Sequence, residues 1–338
     1  MSGPALKMFV PGDGDNPADY SLRRAFDVFL KPELVAVGRA AGTLEAYATG
    51  LKHWEALTKN TPVGKIDRCD VEAFRDGLLE AGNSGATVRK YWAHLRAILR
   101  RLAPAETRNQ QGEGIISRVP WMRLPAAREK MPRIASFLEL NALYDACQVA
   151  TWPLEKATSI LPRILWRTFL VLAYNYGPRT KDLWRLTWAA VDWERESLRF
   201  QAKKTSKLQG LPLNDATRIH LRRIQPAPSV LGTVERTTVF HPTRGNAQFY
   251  REWQKINAAA SLSVPMECRD LRETCASNYE RIAPGVGAWI LGHAARGVTS
   301  RFYLNPTPQV IDAVQKLPQP EAFLEPARVS NEEQLRLF

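Results

Sequence analysis

The sequence predicts a mainly α-helical chain with one small β-sheet, divided between a helical N-terminal domain and a mixed α/β C-terminal domain. Three observations lead there. Apolar residues recur three and four positions apart through most of the chain, the spacing of one helix face. A single stretch, 191–213, changes to short β-rich runs separated by turn residues. A length of 338 residues favours two domains over one.

Taken in order, residues 1–17 (MSGPALKMFVPGDGDNP) are rich in Gly, Pro and Asp and are expected to be loose. They contain no apolar core of a signal peptide. The helical domain is expected over 18–105. Thr43 is read as an N-cap, followed by Leu44, Tyr47, Leu51 and Trp54 at helical spacing. Asp70 is read as the opening of a second helix with Val71, Phe74 and Leu78 on its apolar face and Gly82 as its stop. Ser84 opens a third, with the stripe Val88, Tyr91, Leu95, Ile98 and Leu102, and Pro104 ends it. Residues 106–131 lack periodicity and carry Pro120, Pro125 and the run Arg128-Glu-Lys130, so they are read as a linker.

The second domain is expected over 132–318. Ser136 caps a helix through Phe137, Leu140, Leu143 and Tyr144, and an apolar helix from about Leu161 to Tyr176 is closed by Gly177-Pro178. Another helix starts at Arg179. Val191–Trp193, Ser197–Phe200 and Gly210–Leu213 read as short strands, with Lys203, Lys204 and Lys207 in or beside the turn. Helical patterns resume at Asp215–Ile224, Asn246–Ala260 and Arg269–Arg281. The tail, 319–338, turns acidic and then apolar, which suits a short helix docking into a neighbouring molecule.

The formal net charge is +13, an excess that points to a polyanionic partner, with nucleic acid the first candidate. The third N-terminal helix concentrates it: Arg89, Lys90, Arg96, Arg100 and Arg101 are interleaved with its apolar stripe, with no acid among them. Such a helix is either a solvated face on a core helix or a DNA-facing one; the overall charge favours the second. The four cysteines (Cys69, Cys147, Cys268, Cys275) form no CxxC pair, which argues against zinc and a disulfide framework and fits a cytoplasmic protein. No apolar run approaches a membrane span.

Chemistry gathers between Arg269 and Asn305. Arg269 and Arg272 lie one helical turn apart, His293 follows Gly292, and Tyr303 sits in a helix-like run. No carboxylate cluster that could hold a metal accompanies them. A tyrosine hydroxyl can attack phosphorus, and guanidinium groups can take up charge on phosphoryl oxygens.

The order of the motifs resembles the tyrosine recombinase (phage integrase) family over about residues 130–318. Gly177-Pro-Arg179-Thr-Lys-Asp182-Leu-Trp-Arg-Leu-Thr-Trp188 resembles its first arginine box, and Val191-Asp-Trp193 the strand that follows. Lys203 to Leu213 looks like its β-hairpin lysine segment; counting back from Pro212-Leu213 puts Lys204 at the catalytic lysine. Arg269-Asp-Leu-Arg272 resembles the His-x-x-Arg box, Leu291-Gly-His293 the Leu-Gly-His box, and Thr299–Tyr303 the nucleophile helix. Two departures stand out. Arg269 replaces the histidine and stays charged. Tyr303 lies ten positions after His293, one more than is usual, so Arg296-Gly297 reads as a one-residue loop insertion.

The resemblance implies a tyrosine-recombinase catalytic domain behind a helical core-binding domain, clamped on duplex DNA as a homotetramer on paired sites, with DNA-bending accessory proteins in some systems. It implies Tyr303 as nucleophile, Arg179, Arg272 and His293 on the phosphate, Arg269 beside them, and Lys204 protonating the leaving oxygen, with no metal or nucleotide cofactor. A catalytically silent DNA-binding protein on the same scaffold and a type IB topoisomerase-like enzyme are the alternatives.

Overall fold

The computed structural model describes residues 16–106, 112–126, 131–154, 160–202, 207–225, 238–240, 246–292 and 307–324. The chain divides into two compact units, Met1–Lys130 and Met131–Phe338.

The first unit is helical. Two short helices, α1 (Leu22–Ala25) and α2 (Lys31–Ala36), flank a π-helical turn at Phe26–Leu30 and precede α3 (Ala41–Leu57), α4 (Arg68–Glu80) and α5 (Gly85–Leu102). Their core joins Leu51 and Trp54 of α3, Val71, Phe74 and Leu78 of α4, and Val88, Trp92, Leu95, Leu99 and Leu102 of α5. Trp92 thus joins the buried face of α5, and Tyr91, expected on the stripe, lies half-buried against the His53 ring at 4.6 Å. Ser84 caps α5 as expected, accepting from Thr87 N at 3.3 Å. The other starts differ. Helix α3 begins two residues before Thr43, and α4 is opened by Asp67, with Asp70 completing a capping box from the third position.

The segment read as a linker is not loose where it is described. Ile116 and Met122 are buried in the first core, with Ile115, Val119 and Leu124 packed against it. Arg75 Nη1 donates to Arg123 O at 3.1 Å and Arg89 Nε to Pro125 O at 2.7 Å. Residues 112–126 are thus an irregular strap whose anchors are spread along the chain, so periodicity carries no signal of them.

The second unit is built around one helix, α7 (Pro162–Tyr176), in which every residue from Thr168 to Tyr176 is buried. Burial on every side requires neighbours on every side. Helix α6 (Phe137–Ala146), capped by Ser136 in a box with Glu139, lies before it in sequence, and the short α8 (Thr180–Trp184) follows it. Strands β1 (Val191–Asp192), β2 (Ser197–Ala202) and β3 (Lys207–Pro212) form an antiparallel sheet in that order, with Leu198 opposite both Val191 and Leu211. The third strand thus starts earlier than the expected 210. Helices α9 (Asp215–Ile224), α10 (Asn246–Ala260), α11 (Cys268–Ile282), α12 (Val286–Ile290), α13 (Thr307–Lys316) and α14 (Glu321–Leu324) follow.

The last of these changes the reading of the tail. Phe323 is fully buried, with its ring 5.6 Å from Tyr144 and 5.5 Å from Tyr174. Residues 319–324 therefore dock into their own unit, and any docking in trans falls to 325–338, outside the described residues.

His220 of α9 closes this region. It is fully buried, with Nε2 3.4 Å from Tyr144 Oη and 3.3 Å from Phe323 O. Burial, reinforced by the charges of Arg223 and Arg167, pulls its pKa down to about 3. The imidazole is neutral in the folded state but takes a proton in the unfolded chain below about pH 6.5. Its contribution is thus intact above that pH and is lost as pH falls toward 3. Unfolding of the second unit in denaturant is expected to show a loss at pH 4 that is about 3 kcal/mol smaller in His220→Gln than in wild type, relative to each protein's own pH 7 value. Parallel pH profiles for the two proteins would contradict it.

Candidate active site

A candidate site forms where α7 ends. Gly177 terminates it in the left-handed conformation, φ 51°, with its N–H on Ala173 O at 3.0 Å. Glycine is required twice here. A side chain at positive φ is strained, and a Cβ would lie 2.7 Å from Leu291 Cδ2 and 3.0 Å from Cys275 Sγ. Gly177→Ala is expected to destabilise the second unit by about 2–4 kcal/mol in denaturant unfolding; a change under about 0.5 kcal/mol would show that the turn relaxes freely.

Two residues on, Arg179 is the N-cap of α8. Its carbonyl accepts from Asp182 N at 2.8 Å and Leu183 N at 2.9 Å. Its side chain is 41% exposed, and Nη1 lies 3.7 Å from the Asp182 carboxylate. Thr180, at the start of α8, lies beside Cys268, at the start of α11. That helix is set by a capping box in which Glu267 N donates to Asp270 Oδ2 at 2.8 Å.

One turn into α11 stands Arg272. Its Nη1 donates to Gly177 O and its Nη2 to Leu291 O, the latter at 3.0 Å. One guanidinium therefore bridges the end of α7 and the turn that follows α12. Two backbone acceptors fix the plane of the fork, which a flexible ammonium could not match. Burial lowers the pKa of Arg272, and the neighbouring charge of Arg179 lowers it further; Asp182 opposes the shift. Two cations drawn together where one is half-buried favour a bound anion, and paired guanidinium forks suit the oxygens of a phosphate.

The remaining expected residues are placed differently. Arg269 is three-quarters exposed and bonded through Nε to Glu273 at 2.6 Å, one turn along α11. Lys204, His293 and Tyr303 lie outside the described residues. In sequence, Lys204 falls between β2 and β3, and His293 directly follows Gly292, which is itself left-handed at φ 67°. Sequence reasoning did not reach the carbonyls of Gly177 and Leu291, or Thr180 and Cys268. A backbone acceptor leaves no side-chain signature, and nothing in the motif spacing pairs a threonine with a cysteine 88 positions away.

On the first unit, Arg89, Lys90, Arg96 and Arg100 are exposed. At about 100° per residue, Arg89, Arg96 and Arg100 share one face of α5. Lys90 stands off that face, with Nζ 5.7 Å above the Tyr91 ring. Arg101 is turned inward, 11% exposed, and pairs with Glu113 and with Glu33 at 3.1 Å. The helix itself holds no acid, but the fold supplies two from elsewhere. Among the described residues no group of three or more His, Cys, Asp or Glu side chains could hold a metal ion, and no helix is long and apolar enough to cross a membrane.

A family model described as "Phage integrase family" matches residues 137–309, just over half of the chain. Solved structures share the fold. A lambda integrase dimer bound to a COC' core site superimposes with a TM-score of 0.60 at 21% identity, over 82% of this chain and 96% of that one. A lambda integrase tetramer bound to a Holliday junction gives 0.58 at 20% identity, over 85% and 78%. The Tn1549 transposon integrase in complex with circular intermediate DNA gives 0.55 at 13% identity, over 87% and 98%. No curated protein matches the sequence.

Proposed function

The chain belongs to the phage integrase family, and on that premise we propose that it is a site-specific DNA recombinase that cuts and rejoins strands through a covalent 3′-phosphotyrosine. The observation that carries the reading is that the Arg272 guanidinium is held on the Gly177 and Leu291 carbonyls, which brings it to within two residues along the chain of Arg179, 93 positions earlier in sequence. Their guanidiniums hold the non-bridging oxygens of the scissile phosphate, joined by His293. The Tyr303 hydroxyl gives up its proton as its oxygen attacks phosphorus, the bond to the 5′ oxygen breaks, and Lys204 supplies the proton that oxygen needs to leave, so one proton is lost and one gained. Rejoining is the reverse step, with a 5′ hydroxyl as nucleophile. One phosphodiester is exchanged for another, so the step requires no nucleotide and no metal. Arg269, one turn before Arg272 on α11, is held by Glu273. The stripe Arg89, Arg96 and Arg100, with Lys90 beside it, contacts the DNA backbone and contributes affinity rather than sequence choice. The working form is a homotetramer on paired sites, and the protein acts in the cytoplasm.

The test is a nicked suicide substrate built from the DNA that flanks the gene. Wild type is expected to form a covalent protein–DNA adduct; binding without an adduct would favour a silent DNA-binding protein. The leaving-group role has its own readout. Lys204→Ala should slow adduct formation by about two to four orders of magnitude on a normal phosphodiester. A 5′-bridging sulfur, which departs without a proton, should restore most of the rate. Equal loss on both substrates would move the role to Lys203 or Lys207.

A further inference from the structure

Two residues before Gly177, α7 carries an amide side chain in the core. Asn175 is fully buried. Its Nδ2 donates to Val171 O at 2.8 Å and to Gln319 Oε1 at 3.2 Å. Its Oδ1 accepts from Asn214 Nδ2 at 2.6 Å and from Gln319 Nε2 at 2.8 Å. Both hydrogens and both lone pairs of the amide are thereby used. Each partner is itself fixed. Asn214 caps α9 by accepting from Thr217 N at 3.0 Å, and Gln319 Nε2 also donates to Leu317 O at 3.0 Å.

The same turn is gripped from two more directions. Tyr279 of α11 donates its hydroxyl to Asn175 O at 2.8 Å. Tyr174 Oη donates to Pro318 O at 2.5 Å and accepts from Asn278 Nδ2 of α11 at 3.3 Å. The segment Leu317–Gln319 is therefore stitched to the last turn of α7 and, through the tyrosines, to α11. These are the two elements that carry Gly177 and Arg272.

Apolar packing alone leaves small adjustments of a helix end inexpensive, whereas a saturated buried amide tolerates almost none. Reacting groups need placement to within about 1 Å. We propose that Gln319, acting through Asn175, is a positioning residue for the Arg179–Arg272 pair. It fixes the final turn of α7 and with it the Gly177 carbonyl from which Arg272 is held. The C-terminal segment thus sets the geometry of the phosphate site within its own chain. This rests on reading the pair as that phosphate site.

The test uses the full chain with Gln319→Met, which keeps length and removes the amide, and Asn175→Leu. Three quantities are followed well below the melting temperature: the rate of adduct formation on saturating suicide substrate, the Kd for a DNA half-site, and the 15N guanidinium resonances of Arg272. Separate Nη signals report a fork held by hydrogen bonds. Each variant is expected to slow adduct formation about 10- to 100-fold, with half-site Kd within about threefold of wild type. The Nη signals of Arg272 should merge into one averaged line. The double variant should be no slower than the slower single, since both act through one turn. A lowered melting temperature with unchanged Arg272 signals and unchanged adduct rate would overturn the proposal and leave a purely structural network. If wild type forms no adduct, the reading of the reaction fails, but the Arg272 signals still decide: persistence in the variants overturns the positioning role, and merging supports it. Gln319 is only partly buried, so Gln319→Met carries the test if Asn175→Leu does not fold.

Discussion

Arg272→Lys is expected to lower the rate of adduct formation by about two to three orders of magnitude while leaving half-site affinity within a few-fold of wild type. The charge is conserved, so a role limited to long-range attraction predicts almost no change. The geometry predicts a large one. The guanidinium meets two carbonyls that belong to different segments, Gly177 O and Leu291 O, and a single ammonium cannot span both and still present a planar fork to a phosphate. Burial and the adjacent charge of Arg179 already lower the pKa of this position, and lysine loses its proton under such conditions far more readily than arginine. Single-turnover rates at saturating substrate separate the two cases. A loss confined to Kd, with the saturated rate unchanged, would place Arg272 in binding rather than in transition-state stabilisation.

Tyr303→Phe has the largest expected effect. It removes one oxygen, so DNA affinity and its salt dependence should persist, because backbone contacts by Arg and Lys supply most of that binding. Adduct formation should fall below detection. Phe302→Leu is the control for register: it changes the neighbouring residue, which has no hydroxyl to lose, and should retain part of the rate. If Phe302→Leu abolishes the adduct and Tyr303→Phe does not, the loop-insertion reading at Arg296-Gly297 is wrong.

Where the sequence was legible, the cause was local. Strong periodicity and caps located α5 by Ser84, α6 by Ser136 and α9 to its ends, because the signals sit within a few residues of what they determine. The mainly helical fold with one small antiparallel sheet was readable for the same reason. Signals failed where the determinant was remote. Asp70 reads as a helix start because both members of the capping box are aspartates, and only the fold shows Asp67 as the cap and Asp70 as the residue that reaches back to it. The strap 112–126 is held by Arg75 and Arg89 from distant helices, and Phe323 is buried by aromatic rings 149 and 179 positions earlier. Arg101 looked like its exposed neighbours because Glu33 and Glu113, which neutralise it, are not on its helix. In the candidate site, the spacing of the boxes marked Arg179 and Arg272 as belonging together. What holds Arg272, two backbone carbonyls, has no signature that a linear pattern could carry.

The central claim is that strand transfer passes through one tyrosine of this chain. Wild-type protein trapped on a nicked suicide substrate can be digested and the DNA-linked peptide identified by mass spectrometry. A 3′-phosphotyrosine on the peptide containing Tyr303, absent from Tyr303→Phe, is the expected result. A label on any other tyrosine, or binding to the flanking DNA without any covalent peptide, would contradict it.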